Sequence, residues 1–320
     1  AVDGGSGALS HVGAGLSLPN RPIHLSIDPA GEHALVTFNA GAIRVYRLDA
    51  GGVPVAEIIQ QEMIQAGNYP HQALVTADGR RVLSTALGQN PGPGHAEDPG
   101  AINVFDFERG QLRRQSVVAP DRGYGFGPRH LDLHPNGRWV YVSLERQNRM
   151  ELFELGPDGL GPRAASSRPL LSRPQPSEVK QHGGAVHVHP NGRFVYGVNR
   201  AWQTVEHAGG AVFAGGENTL AVYAIDPATG ALETLQYTDT AGIHCRTFAI
   251  DPTGTILVAA HIMGLAVLAG NVVRQVPAGL SVFRIADDGS LRFERFHPLD
   301  TARGSLFWMG IPTFHTGPTP

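Results

Sequence analysis

One phrase recurs along this chain. It reads RPIHLSIDPAGEHALVTF from Arg21, GPRHLDLHPNGRWVYVSL from Gly127, GGAVHVHPNGRFVYGVNR from Gly183 and HCRTFAIDPTGTILVAAH from His244, with a weaker copy, PHQALVTADGRRVLSTAL, from Pro70. In every copy a turn ending in glycine (Gly31, Gly79, Gly137, Gly192, Gly254) separates two apolar runs, and those glycines stand 48, 58, 55 and 62 residues apart. Self-similarity at roughly 40–50 residues, stretched by insertions, is how a β-propeller reads in sequence. The expected fold is therefore all-β: a propeller of four-stranded antiparallel blades, with residues 1–320 as a single domain. Such a ring brings equivalent positions of distant repeats to one central channel.

Each copy reads as one blade. A short alternating run (Leu131 to Leu133, Val186 to Val188, Phe248 to Ile250) is the inner strand, the Gly turn follows, and a second run (Trp139 to Val142, Phe194 to Val198, Ile256 to Ala260) pairs back on it. A third run and a fourth, outer strand complete the unit. Five blades are complete, starting near residues 21, 69, 127, 182 and 243. Ser305 to Ile311 reads as one further inner strand, and Asp3 to Val12 as the turn and outer strand of a blade. Two readings follow: the ends close a sixth blade together, or N-terminal residues that would complete a seventh are missing. The second fits better, because the opening residues look like the end of a blade.

Three insertions, Leu87 to Gly100, Arg200 to Asn218 and His261 to Gly279, each lie between a second and a third strand. They are expected on one face, where long loops on a rigid scaffold carry binding or chemistry. The polar, Pro-rich stretch Ala164 to Gln181 reads as an exposed connector.

Composition narrows the partners. A net charge of −3 favours neither nucleic acid nor a membrane surface, and no apolar stretch is long enough to span a bilayer. One cysteine, Cys245, rules out an internal disulfide and suits a reducing compartment. A cytoplasmic location is expected, with an exported mature form beginning at Ala1 left open.

Alignment on the turn glycines locates a site. The start of the first strand and the end of the second are neighbours, on the face that carries the insertions. Strand starts supply His24, His71, Arg129 with His130, His182, and His244 with Arg246; strand ends supply Asn39, Glu145, Arg200 and His261. A single histidine there is usually structural, and His134, His187 and His189, in or beside HPNG and HVHP, are expected to be so. The rim as a set points to function, since several copies place cations at one location. Arginines hold carboxylate or phosphate and stabilise an oxyanion, and histidine or glutamate moves protons near neutral pH. Three arginines disfavour a metal cation. Cys245 as a nucleophile is disfavoured, because His244 beside it should point to the opposite face. No cofactor is expected: Rossmann, P-loop and nucleophile-elbow patterns are absent from the sequence.

The phrases GPRHLDLHPNGRWVYVSLE, HVHPNGRFVYGVNR and GIHCRTFAIDPTG resemble the seven-bladed propeller lactonase family, which includes the bacterial propeller-type 6-phosphogluconolactonase and the fungal carboxy-muconate lactonising enzyme. The resemblance runs from about Gly4 to Gly310. It implies a metal-independent His, Arg and Glu site, in which His130 and Arg129 match the P-R-H segment, Arg200 the N-R segment and Arg246 the P-R-x-F segment. Cys245 departs from the expected Pro, and Ala185 stands where many members carry an acidic residue, leaving Glu145 and Glu217 as substitutes. The expected activity is hydrolysis of an anionic sugar-acid lactone. His130, Glu145, Arg200 and Arg246 are the expected catalytic groups, with Arg129, His24, His71, His182, His244 and Glu217 binding substrate. Lactone-forming cycloisomerisation and a non-catalytic binding propeller are the alternatives.

Overall fold

Each turn glycine sits at positive φ, a conformation that glycine takes without strain. Gly254 has φ +73°, and a Cβ added there would stand 2.4 Å from the ring of His189 in the preceding blade. Around such turns the computed structural model, which describes residues 1–311 other than Gly4, Ser177, Glu178 and Arg303, builds five successive antiparallel sheets. Blade I comprises Pro22–Ile27, His33–Phe38, Ala42–Leu48 and Pro54–Ile58; blade II comprises Pro70–Val75, Arg81–Ala86, Ala101–Glu108 and Gln111–Val118. Blade III comprises Pro128–Leu133, Trp139–Leu144, Arg149–Gly156 and Ser166–Pro169, with the short Gly159–Leu160 also pairing on its third strand. Blade IV comprises His182–Val188, Phe194–Arg200, Thr219–Ile225 and Leu232–Asp239; blade V comprises Cys245–Ile250, Ile256–His261, Gly279–Ile285 and Leu291–Pro298. The expected inner strands are therefore the observed ones.

The blades are joined by packing and by a repeated set of hydrogen bonds. Buried Tyr196, Val198, Leu220 and Val222 of blade IV share a core with Phe248, Leu257, Ala259 and Phe283 of blade V. The Tyr141 hydroxyl donates to the Gly230 carbonyl and that of Tyr196 to Gly289, each at 2.9 Å and each from one blade to the next. His134 and His189 donate through Nε2 to the Gly192 and Gly254 carbonyls at 2.7 and 2.8 Å, while their Nδ1 atoms accept the N–H groups of Asn136 and Asn191. Both are structural groups with every ring nitrogen used, in line with the reading of HPNG and HVHP.

Three expectations fail. Ser305 to Ile311 forms no strand: a strand needs a neighbouring ladder, and among the described residues the one backbone bond from this run to the blades is Leu306 N–H to the Ile262 carbonyl, just past the second strand of blade V. Asp3 to Val12 contributes a single bridge, Val2 to Leu9, instead of an outer strand. The Ala164 to Gln181 connector is not simply exposed. Its Ser166–Pro169 pairs with Arg149 to Leu152 as the outer strand of blade III, and Leu170 is fully buried. Two of the three insertions fold into hairpins, Thr204–His207 with Gly210–Phe213 and Leu265–Ala269 with Val272–Val276, which pack on each other. No helix among the described residues is long and apolar enough to cross a membrane.

Candidate active site

The inner strands share an irregularity at their first residues. Register shifts fall between Pro22 and His24, Pro70 and Gln72, Pro128 and His130, Gly183 and Val186, and Cys245 and Thr247. The residues set out of register include His71, Arg129 and Arg246. A bulge re-aims a side chain that a regular strand would send to the other face. This is why Arg129 and His130, adjacent in sequence, meet in one site.

A pocket of about 360 Å³ lies where the five inner strands converge. Arg21, Arg129, Arg246, His24, His71, His130, His187, Gln72, Thr247, Phe307 and Trp308 line it, together with apolar groups, and among the described residues no carboxylate does. Behind its wall stands Glu145, immediately after the second strand of blade III. Its Oε2 lies 2.7 Å from Arg129 Nε in an ion pair and accepts from Arg200 Nη2 at 2.9 Å, and its Oε1 lies 3.4 Å from His182 Nδ1. The arginine side chains are 2% and 3% exposed, so this is a buried charge cluster rather than a surface pair. Burial alone would push the Glu145 carboxyl up. The His182 hydrogen bond and the Arg129 and Arg200 charges outweigh it and hold the group far below the usual carboxylate range.

The arginines outnumber their counter-charge. Burial, then Arg200, bring Arg246 down to about 10, which still leaves it cationic at neutral pH. Its guanidinium sits 4.6 Å from the Phe307 ring centroid. Arg129 Nη1 stands 3.1 Å from His130 Nδ1. The same Nη1 lies 3.5 Å from Nε2; a guanidinium only donates, so a ring nitrogen of His130 accepts from it. Burial and the Arg129 charge push His130 well below its ordinary value; burial does the same to His71, which packs edge-on to His130 at 4.8 Å. Burial followed by His187 brings His24 down to about 4, and burial followed by Arg200 brings His244 to about 3. All four are neutral at physiological pH, so the site offers neutral imidazole donors among fixed cations.

Trp202, which sequence reasoning passed over, organises the outer side. It stacks on His244 at 4.4 Å and 8°, meets His182 edge-on at 4.9 Å, and lies 5.5 Å from the Arg200 guanidinium. Its place two residues beyond the N-R segment, at the start of an insertion, was the available signal.

The structure thus gathers His24, His71, Arg129, His130 and Arg246 on the pocket wall, and Glu145, Arg200, His182 and His244 in the layer behind. Glu217 belongs to neither. Its carboxylate accepts the Ser172 N–H and hydroxyl, the Arg173 N–H, Gln175 Nε2 and the Thr219 hydroxyl at 2.9 to 3.4 Å. It fastens a loop and leaves no free lone pair for substrate. His261 is likewise structural, held by the Thr240 carbonyl and Ser281. His187, expected to be structural, instead faces the pocket. Among the described residues no three His, Cys, Asp or Glu side chains are grouped as metal ligands. Cys245 is fully buried, and burial pushes its thiol up to about 12.

Residues 1–264 match the family described as lactonase, 7-bladed β-propeller. The protein belongs to that family. It is 28% identical over 257 residues to a 6-phosphogluconolactonase of Enterobacter sp. (strain 638), covering 79% of this chain and 67% of that one. It is 25% identical over 275 residues to a 6-phosphogluconolactonase of Bacillus subtilis (strain 168), covering 81% and 68%. A crystal structure from Bacteroides fragilis superposes with a TM-score of 0.65 at 20% identity, over 94% of this chain and 76% of the other, which shows the shared fold. Five of the family's seven blades are present among the described residues.

Proposed function

We propose that this protein hydrolyses an anionic sugar-acid lactone to the open hydroxy acid. The observation that carries the reading is the pocket wall: three guanidiniums and four imidazoles, with no carboxylate among the described residues facing the ligand. Such a wall attracts a carboxylate or phosphate and stabilises negative charge that develops on a carbonyl oxygen. Membership of a lactonase family and the names of the two enzyme relatives support the same chemistry.

The groups divide by position. Arg246 and the His130 imidazole hold the lactone carbonyl oxygen as it becomes an oxyanion. Arg129, His24 and His71 receive the anionic substituent. Glu145 pins Arg129 and Arg200 in place, because a carboxylate ion-paired twice and held so far below its usual range is a weak base. Arg200, His182 and His244 form the layer that fixes this arrangement. Purified protein assayed against aldonic, aldaric and phosphorylated lactones should open at least one of them. Failure across the panel, with lactone formed from an unsaturated diacid, would assign the site to cycloisomerisation instead.

A further inference from the structure

We infer that His187, oriented by Asp132, is the general base that activates the attacking water; this rests on the lactonase reading above. The other candidates are spoken for. Glu145 stands behind the wall, ion-paired to two arginines. His130 spends a ring nitrogen on Arg129. His187 differs in three respects. Its side chain is 40% exposed and lines the pocket. Its Nδ1 stands 3.7 Å from Asp132 Oδ2, beyond direct hydrogen-bond length but within Coulombic reach of a protonated ring. Its ring is fixed edge-on against Phe248 at 4.8 Å and 86°.

Asp132 is built to hold that place. Its Oδ2 accepts the Val188 N–H at 2.7 Å and its Oδ1 the Leu133 N–H at 2.9 Å, so the carboxylate is anchored across the interface between blades III and IV. With Nδ1 turned toward Asp132, Nε2 occupies the opposite edge of the ring. The charged and titratable groups around it are Asp132, Arg129 and His130 from blade III, Arg21 and His24 at blade I, His71 from blade II and Arg246 from blade V. Asp132 is the single anion among them.

The step balances without another reactant. The water oxygen bonds to the lactone carbonyl carbon while its proton passes to His187 Nε2, and the electron pair of the carbonyl goes to the oxyanion. Collapse of that intermediate breaks the ring carbon–oxygen bond, and the imidazolium returns the proton to the departing ring oxygen. Asp132, which stabilises the imidazolium, is a positioning residue.

The test uses the full chain, the best lactone of the panel and two variants, H187Q and D132N. H187Q should lower kcat by about 10²–10⁴-fold with little change in KM. D132N should lower kcat less than H187Q and leave KM unchanged, because Asp132 acts only through His187. A merely structural role for Asp132, which would loosen the pocket wall, would raise KM instead. H187Q with kcat within threefold of wild type overturns the assignment, as does a folded D132N whose KM rises while its kcat holds. Should D132N not fold, H187Q decides alone, since its half-exposed side chain supports little packing. If the wild type opens no lactone, the lactonase reading falls, and this assignment with it.

Discussion

Glu145→Gln is the most informative single change in this protein. The substitution keeps the volume and one carbonyl-type acceptor but removes the negative charge that Arg129 and Arg200 share. Those guanidiniums are 2% and 3% exposed, so solvent cannot take over. Removing one partner of a buried ion pair typically costs about 3–5 kcal/mol, because a charge is left uncompensated in the interior. At roughly 2 °C per kcal/mol, suited to a larger domain, that is a fall in Tm of about 6–10 °C. The pH dependence adds a second signature. The folded Glu145 carboxyl lies below the unfolded value of about 4.3, so its stabilisation is fully present above roughly pH 5 and is lost as pH falls. The gap between wild type and variant should be full at neutral pH and narrow below about pH 4. Urea unfolding of both proteins across that range measures it, with equal slopes confirming that the same transition is compared. A variant within about 1 kcal/mol of wild type at neutral pH, or a gap independent of pH, would refute the buried-cluster reasoning.

Arg246→Ala should lower kcat by about 10²–10³-fold while leaving Tm within a few degrees, since the residue is half-buried on the pocket wall; unchanged turnover would remove it from the oxyanion site. Tyr141→Phe and Tyr196→Phe each leave a buried glycine carbonyl without its donor and should cost about 1–3 kcal/mol apiece in denaturant unfolding. They lie at different blade interfaces, so the double variant should cost the sum, and strong non-additivity would contradict independent interfaces. The Cys245 thiol should resist a thiol reagent in the native protein and react stoichiometrically once unfolded; rapid native labelling would place it outside the core.

The periodic turn glycines, the apolar runs on either side of them and the position of the insertions were all local, and local pattern is enough to order strands into blades. From that order alone the starts of distant inner strands had to converge, which is why Arg129, His130, Arg246, His24 and His71 could be grouped before any contact was known. What stayed out of reach depends on partners far away in the chain. Glu145 and Glu217 are both glutamates at strand edges, yet one is clasped by two arginines from different blades and the other by a loop some forty residues earlier. Only three-dimensional proximity separates those roles. His187 and His189 differ by two residues in the same HVHP segment, but His189 meets the Gly254 carbonyl while His187 meets Asp132 and the pocket. The run Ser305 to Ile311 has the pattern of a strand and is not one, because pattern supplies side chains and a ladder needs a neighbour. Alternation says which residues could be buried; burial, charge pairing and bulges, which no single segment encodes, decide which of them do chemistry.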